Sequence, residues 1–213
     1  MINKNGGSRM RAAGLFLTDM NKTDVKTFFD RLAPSWDAEM IRDDAIIGTI
    51  LDHAHVSEGC KVLDVASGTG VLIPDYLRRN VASVTAIDIS TEMIRIAREK
   101  CKDPRVTFVA GDVETAELPA DFDVIVVYNA FPHFPDPETL IRRLSSLLRT
   151  GGTLTVAHGM SRDEINARHR EEAKQVSMGL MEAEELAAIF AKYLEVRTVI
   201  STDKMYQVAG LKA

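Results

Sequence analysis

Several things are scarce in this chain. Its 213 residues include two cysteines and one tryptophan, and aromatic side chains make up 6%. Cys60 and Cys101 lie far apart without metal-ligand spacing, which excludes a disulfide framework and a zinc pattern. They read as reduced thiols packed beside the sheet of a cytoplasmic protein. Positive charge is not in excess: 26 Lys and Arg against 31 Asp and Glu leave a net −5. That argues against nucleic acid as a partner and against a polybasic membrane surface. No apolar run approaches the ~18–20 residues of a membrane span. Near the start, Lys4, Arg9 and Arg11 precede only "AAGLFL", too short for the core of a signal peptide. There is no internal repeat and no low-complexity segment.

What remains is ordinary for one globular α/β domain: 46% apolar and 27% charged residues. Residues 1–20 lack periodicity and read as a flexible leader, with "MNKTDVKTFFDRL" at Met20 the more natural start. Residues 21–213 form the expected domain, with N-terminal helices over 21–57 and an insert and helix over 159–193. Helices are expected at 23–33 (Thr23 or Asp24 as cap), 40–54, 70–79, 91–101, 137–149 and 182–193. For 137–149, Asp136 is the expected N-cap and Gly151-Gly152 the stop. Strands are expected at 61–66, 83–88, 105–109, 122–128, 153–158, 195–201 and 204–211. "VIVVY" at 124–128 is apolar without alternation, as for a strand covered on both faces. Successive βαβ units imply a doubly wound, mostly parallel sheet. The last two strands, joined by "STDK", form an antiparallel pair at one end.

The informative stretch is "VLDVASGTGVLIP" at 62–74, a strand that buries Asp64 and then turns through Ser67, Gly68, Thr69 and Gly70. In a doubly wound sheet this is where ligands bind, beyond the strand ends at the switch point. Glycines there let backbone amides face the ligand. Asp88 ends the next strand about 20 residues on, where a carboxylate can accept ribose hydroxyls. A dinucleotide fingerprint beginning at Gly68 needs glycine at position 73, which is Ile73. Asp64 also suits a ligand carrying positive charge better than a pyrophosphate.

In order and spacing, "VLDVASGTG", "AIDIS-TEMI", "VAGDVETAELP" and "FDVIVVYNAF" resemble motifs I to IV of the class I S-adenosylmethionine-dependent methyltransferases. The resemblance covers roughly residues 25–211. It implies an α/β, doubly wound, seven-stranded Rossmann-like sheet with an antiparallel last strand, and S-adenosyl-L-methionine laid across the strand ends. It assigns Ala66, Ser67, Gly68, Thr69 and Gly70 to the methionine part, with Asp64 near its amino group. Asp88 takes the ribose. Ile89 and Met93 pack near the adenine, Gly111 and Asp112 receive it with Val113 beside them, and Asn129, Ala130 and Phe131 floor the site. Ala66 departs from the family, which usually has the loop's first glycine there.

Methyl transfer asks for in-line placement of the acceptor and, where it carries a proton, a group to receive it. His133, just past the fourth strand, is the candidate general base or substrate-orienting residue, with a turn-closing histidine as the plainer alternative. His158 ends the fifth strand. Arg162, Asn166 and His169 lie in the polar helical segment 159–175 and could face an acceptor. A metal held by His133, His158 and His169 is a further reading, although no carboxylate or thiolate stands at ligand spacing. His53 and His55 read as surface or helix-end residues. Helix 23–33 and "APSWD", with Phe28, Phe29 and Trp36, are placed to form an N-terminal helical lid together with 159–175.

"NAFP" is not the Asn-Pro-Pro-aromatic pattern of base-amino methyltransferases. "FFDRLAPSWD" resembles the N-terminal helix of the ubiquinone and menaquinone methyltransferase subgroup. The expected partner is thus a small-molecule acceptor, methylated at carbon, oxygen or sulfur. A nicotinamide-dependent oxidoreductase and a non-catalytic S-adenosylmethionine-binding protein are the competing readings.

Overall fold

The computed structural model describes residues 20–213. The expected leader at 1–19 lies outside the described residues; Met20 is buried against Val25, Ala173 and Val176. The N-terminal helices are α1 (Lys22–Leu32), α2 (Trp36–Glu39) and α3 (Asp44–His53). Asn21, two or three residues earlier than the expected Thr23 or Asp24, caps α1 by accepting from the Asp24 amide. Asp43 caps α3, which therefore starts four residues later than expected. The short α2 was not foreseen, because Pro34 reads only as the end of the preceding helix.

The sheet contains β1 (Lys61–Val65), β2 (Ser83–Asp88), β3 (Val106–Ala110), β4 (Phe122–Tyr128), β5 (Leu148–His158), β6 (Glu195–Ser201) and β7 (Tyr206–Leu211). Between these strands lie α4 (Ile73–Arg78), α5 (Thr91–Lys100), α6 (Pro137–Leu147), α7 (Arg162–Glu172) and α8 (Ala183–Phe190). Strand order is β3-β2-β1-β4-β5-β7-β6. The first five strands are parallel, and β7 runs antiparallel to both neighbours. Order reverses between β1 and β4, so the loops leaving their carboxyl ends diverge and open a crevice.

Alternation along the central strands supplies two cores. Leu63, Val65, Ile125 and Val127 face α6 and α8, while Val62, Val124 and Val126 face α3 and α4. The last two strands sort by composition. "EVRTVIS" alternates exposed and half-buried positions and, with Glu195 and Arg197 outward, takes the edge. "YQVAGL" is buried through Gly210 and takes the interior place. Its one amide side chain is satisfied: Gln207 donates to Ile50 O and Thr155 Oγ1, each at 3.0 Å, and its Oε1 lies 2.9 Å from His53 Nδ1.

Gly151-Gly152 do not stop α6. The helix ends at Leu147 and the chain enters β5 directly, with both glycines inside that strand. A Cβ at Gly152 would come within 2.9 Å of Phe122 O, so the glycine marks a close backbone crossing. No helix among the described residues is long and apolar enough to cross a membrane.

Two glycines test this packing in opposite directions. At Gly210, on β7, an added Cβ would lie 2.9 Å from Leu194 Cβ and 3.1 Å from Phe190 Cδ1. Gly210→Ala is expected to cost about 1–3 kcal/mol through overpacking. Gly48, inside α3, has nothing within 4 Å of an added Cβ, so Gly48→Ala is expected to gain up to ~1 kcal/mol. Urea denaturation of both variants measures the contrast.

Candidate functional site

After β1 the chain turns sharply. Ala66, Gly68 and Gly70 have φ of +53°, +55° and +82°. Three left-handed residues in five explain the glycines, and explain why alanine is unusual at 66: the conformation costs a Cβ-bearing residue about 1–2 kcal/mol. The loop is held from the neighbouring strand. Asp88 at the tip of β2 accepts from the Gly68 amide with one oxygen and from the Ser90 amide with the other, each at 2.8 Å. On the other side, Asn129 also has a left-handed φ (+53°), and its Oδ1 accepts from the Gly159 amide at 3.0 Å, joining the ends of β4 and β5.

These loops surround a cleft of about 1070 Å³, part of it open to solvent. Asp64, Ala66, Ser67, Gly68, Asp88, Ile89, Met93, Gly111, Asp112, Val113, Asn129, Ala130, His133 and Trp36 all line it. Three of the residues expected to bind the cofactor do not. Thr69 gives its hydroxyl to Asp37 at 2.5 Å. Gly70 makes room for Ile73, whose Cδ1 would lie 2.8 Å from an added Cβ. Phe131 is buried in the core on the α6 side.

Two polar atoms on the cleft wall are buried without a hydrogen-bond partner: Asp64 Oδ2 and Ser67 Oγ. Burial pushes the Asp64 carboxyl up to about 8; the nearby Tyr76 hydroxyl opposes the rise and the Asp88 charge adds to it. Asp88 is pushed up to about 6 by burial, against the pull of its two amide donors.

A roof covers the cleft. Each of the three sheet loops carries one tie to the N-terminal helices. Lys22 Nζ bonds Asp112 Oδ2 at 2.6 Å and Glu114 Oε2 at 2.5 Å, after β3. Asp30 accepts from Ser90 Oγ at 2.6 Å and the Glu92 amide at 3.2 Å, after β2. Asp37 holds Thr69 and Lys100, the latter at 2.6 Å, beside the glycine loop. Lys22, Asp30 and Asp37 carried no signal in the sequence, since exposed charges on a helix normally face solvent. Val25, Phe29, Met40, Tyr128, Phe134 and Pro135 also line the cleft, as does Lys22. Only Phe29 among these was anticipated as part of a lid.

His133 lies in a one-turn 3-10 helix (Phe131–His133) beyond β4. Its Nδ1 is 2.6 Å from Val176 O. A carbonyl only accepts, so Nδ1 carries the hydrogen and Nε2 the lone pair. Burial, and then neighbouring His169, pushes its pKa down to about 4, leaving a neutral ring at pH 7.

The other candidates do not face the cleft. His158 is fully buried with both ring nitrogens unpartnered, packed edge-on to Tyr206 at 6.0 Å between centroids. Arg162 spends its guanidinium on Leu180 O and Glu182, and Asn166 binds the Leu180 backbone, so neither is free for an acceptor. His169 stacks on His133 rather than lining the cleft. Among the described residues no group of three His, Cys, Asp or Glu side chains is placed to hold a metal ion.

Asp64 gives the site a pH signature. In the unfolded chain an aspartate titrates near ~3.9, whereas Asp64 in the fold titrates at about 8. Its protonated form is the favoured folded form. The associated stability is complete below about pH 4 and is lost as the pH rises to about 8. In ligand-free protein, Asp64→Asn is therefore expected to gain on wild type as the pH rises, by on the order of a few kcal/mol near pH 8. Denaturation curves over this range check it; a difference that does not vary with pH would show that Asp64 is ionised throughout.

Comparison with known proteins agrees with this geometry. Residues 62–152 match a family model described as a methyltransferase domain. Over 100 residues the chain is 39% identical to a ubiquinone biosynthesis O-methyltransferase of Xanthomonas campestris, covering 45% of this chain and 41% of that one. The chain thus spans less than half the length of that curated relative. Among solved structures, a chain of the complex between the Haloferax volcanii Trm112 methyltransferase activator and its methyltransferase superposes with a TM-score of 0.77 at 18% identity, over 88% of this chain and 97% of that one. The N-methyltransferase NodS of Bradyrhizobium japonicum, solved with S-adenosyl-l-homocysteine, superposes with 0.68 at 15% identity, over 88% and 97%. Residues 62–152 thus match a methyltransferase domain, and the described residues have the fold of these solved methyltransferases.

Proposed function

We propose that this protein transfers the methyl group of S-adenosylmethionine to an uncharged small-molecule acceptor. The observation that carries the proposal is the pair of unpartnered buried atoms, Asp64 Oδ2 and Ser67 Oγ, beside a loop whose Gly68 offers no side chain to the cleft. An amino-acid end group fits them: Asp64 can accept from an ammonium, and Ser67 can donate to a carboxylate. A positive charge there also relieves the cost of an ionised, buried Asp64. Asp88 has lone pairs left for ribose hydroxyls, since each oxygen receives one amide. Asp112, between Gly111 and Val113, stands where an adenine amino group can donate. When bound, the cofactor supplies an electrophilic sulfonium methyl.

Beside these charged groups the cleft is also lined by Phe29, Trp36, Met40, Tyr128, Phe134 and Pro135, none of which carries a formal charge, and to these side chains we assign the acceptor. Burial holds the Tyr128 hydroxyl protonated, its pKa pushed up to about 12. A charged acceptor would lose its hydration there without a partner, so the wall favours an uncharged one. His133 serves as the hydrogen-bond acceptor that orients the nucleophile through Nε2. At a pKa of about 4 it is too weak a base for complete proton removal to be its main contribution. The roof helices exclude water from the sulfonium and act as a lid that opens for exchange.

Titration calorimetry with S-adenosylhomocysteine tests the cofactor reading. Asp88→Ala is expected to lose about 2–4 kcal/mol of binding, roughly 30- to 1000-fold. Since Asp88 also anchors the glycine loop, Asp88→Asn and thermal melts on the same samples separate binding from loop collapse. Unchanged affinity in both variants, or binding of NAD in place of S-adenosylhomocysteine, defeats the assignment. Incubation with labelled S-adenosylmethionine and a panel of thiols, phenols and quinols, beside charged analogues, identifies the acceptor.

The lid has its own test. Trp36 is the single tryptophan and lies in the roof, close to Gly68. Saturating S-adenosylhomocysteine is expected to alter its emission and to slow hydrogen exchange across 22–39. A ligand that binds while moving neither signal rules out a lid in this segment.

A further inference from the structure

The polar residues Arg162, Asn166 and His169 follow helical spacing on α7, and all three turn toward one stretch of their own chain, residues 176–180. Arg162 Nε donates to Leu180 O at 3.0 Å. Asn166 accepts from the Leu180 amide at 2.6 Å and donates to its carbonyl at 3.0 Å. His169 Nδ1 lies 2.7 Å from Ser177 Oγ, which also accepts from the Gly179 amide at 3.1 Å.

The far side of the same stretch grips the turn that carries His133. The Met178 amide donates to Pro132 O at 2.8 Å, and Val176 O accepts from His133 Nδ1 at 2.6 Å. His169 also touches His133 directly, ring centroids 4.9 Å apart and planes tilted by 38°. From α1, Phe29 presents to His133 at 4.9 Å and 83°. The His133 ring is thus in contact with one ring from each covering segment, and its hydrogen is pinned by a carbonyl whose neighbour is tied to His169. Which nitrogen of a neutral histidine carries the hydrogen is set by the hydrogen bond it makes.

We infer that His169 is a positioning residue: packed on His133 and tied to Ser177, it holds the Val176 carbonyl and the His133 ring in the register that keeps the hydrogen on Nδ1 and leaves Nε2 to meet the acceptor. This rests on the role proposed above for His133, but the geometry it asserts can be read without an acceptor.

The test is long-range 1H–15N correlation of the histidine rings at pH 7.5, on protein alone and saturated with S-adenosylhomocysteine. In wild type, His133 is expected to be protonated at Nδ1 only. In His169→Ala and Ser177→Ala its two nitrogens are expected to shift toward a tautomer mixture. His169→Phe, which keeps a ring against His133, is expected to retain more of the Nδ1–H form than His169→Ala. Thermal melts confirm that each sample is folded, and Ser177→Ala carries the test if His169→Ala is not. An Nε2–H tautomer in wild type, or His133 signals unchanged in both alanine variants, overturns the inference. Failure of S-adenosylhomocysteine to bind wild type defeats the proposed function instead, and leaves the tautomer result standing on its own.

Discussion

The Asp88 carboxylate is the contact on which the site depends. Its two oxygens take amides from two different loops, Gly68 after β1 and Ser90 after β2, while its side chain is almost wholly buried. The glycine loop, three of whose residues are left-handed, is otherwise held by the Ser67 amide on Ile87 O, the Gly70 amide on Ser67 O and the Thr69 hydroxyl on Asp37. A charge-assisted hydrogen bond to a backbone amide is among the stronger polar contacts in a protein. Here it converts a soft turn into a rigid wall. The Ser90 amide bonds Asp88, and the Ser90 hydroxyl caps α5 while donating to Asp30 of the roof. One carboxylate thereby links sheet, loop, helix and lid.

Other features of the cleft run against stability. Ala66 occupies a conformation suited to glycine, and Asp64 Oδ2 and Ser67 Oγ are buried without a hydrogen-bond partner. Buried polar groups left unpaired are costly, and strain of this sort persists where the surroundings over-determine it. Asp64 Oδ2 and Ser67 Oγ lie together on the cleft wall, which fits a site completed by a charged ligand. Gln207, in the sheet interior, is by contrast fully bonded, whereas His158 and Tyr206 keep buried polar atoms without partners away from the cleft.

The covering segments divide the work by chemistry. The N-terminal helices meet the sheet loops through ion pairs and hydroxyl contacts, with Phe29 and Trp36 on the underside. Such partly exposed pairs are individually weak, which is compatible with the lid proposed for these helices. The segment from α7 to Leu180 instead meets the His133 turn through the Met178 amide on Pro132 O and Val176 O on His133 Nδ1, and Ala173 and Val176 pack beside Met20 and Val25.

Local patterns in the chain determined a good deal. Alternating βαβ units, the apolar run of β4, the left-handed loop implied by Gly68 and Gly70, and Asp88 about 20 residues later mark both the doubly wound sheet and the crevice at its switch point. The charged alternation of β6 against the small apolar residues of β7 also distinguishes edge from interior. Such features are readable because period and glycine placement follow from backbone geometry, which is local. The tertiary structure alone decided where polar side chains point. Arg162, Asn166 and His169 looked equally able to face an acceptor or solvent, and they bind residues 177–180 of their own chain. Lys22, Asp30 and Asp37 looked solvated, and they tie the roof to loops 32 to 92 residues away. The end of a long polar side chain is set by whichever partner the fold brings within reach, and sequence spacing carries no record of that partner.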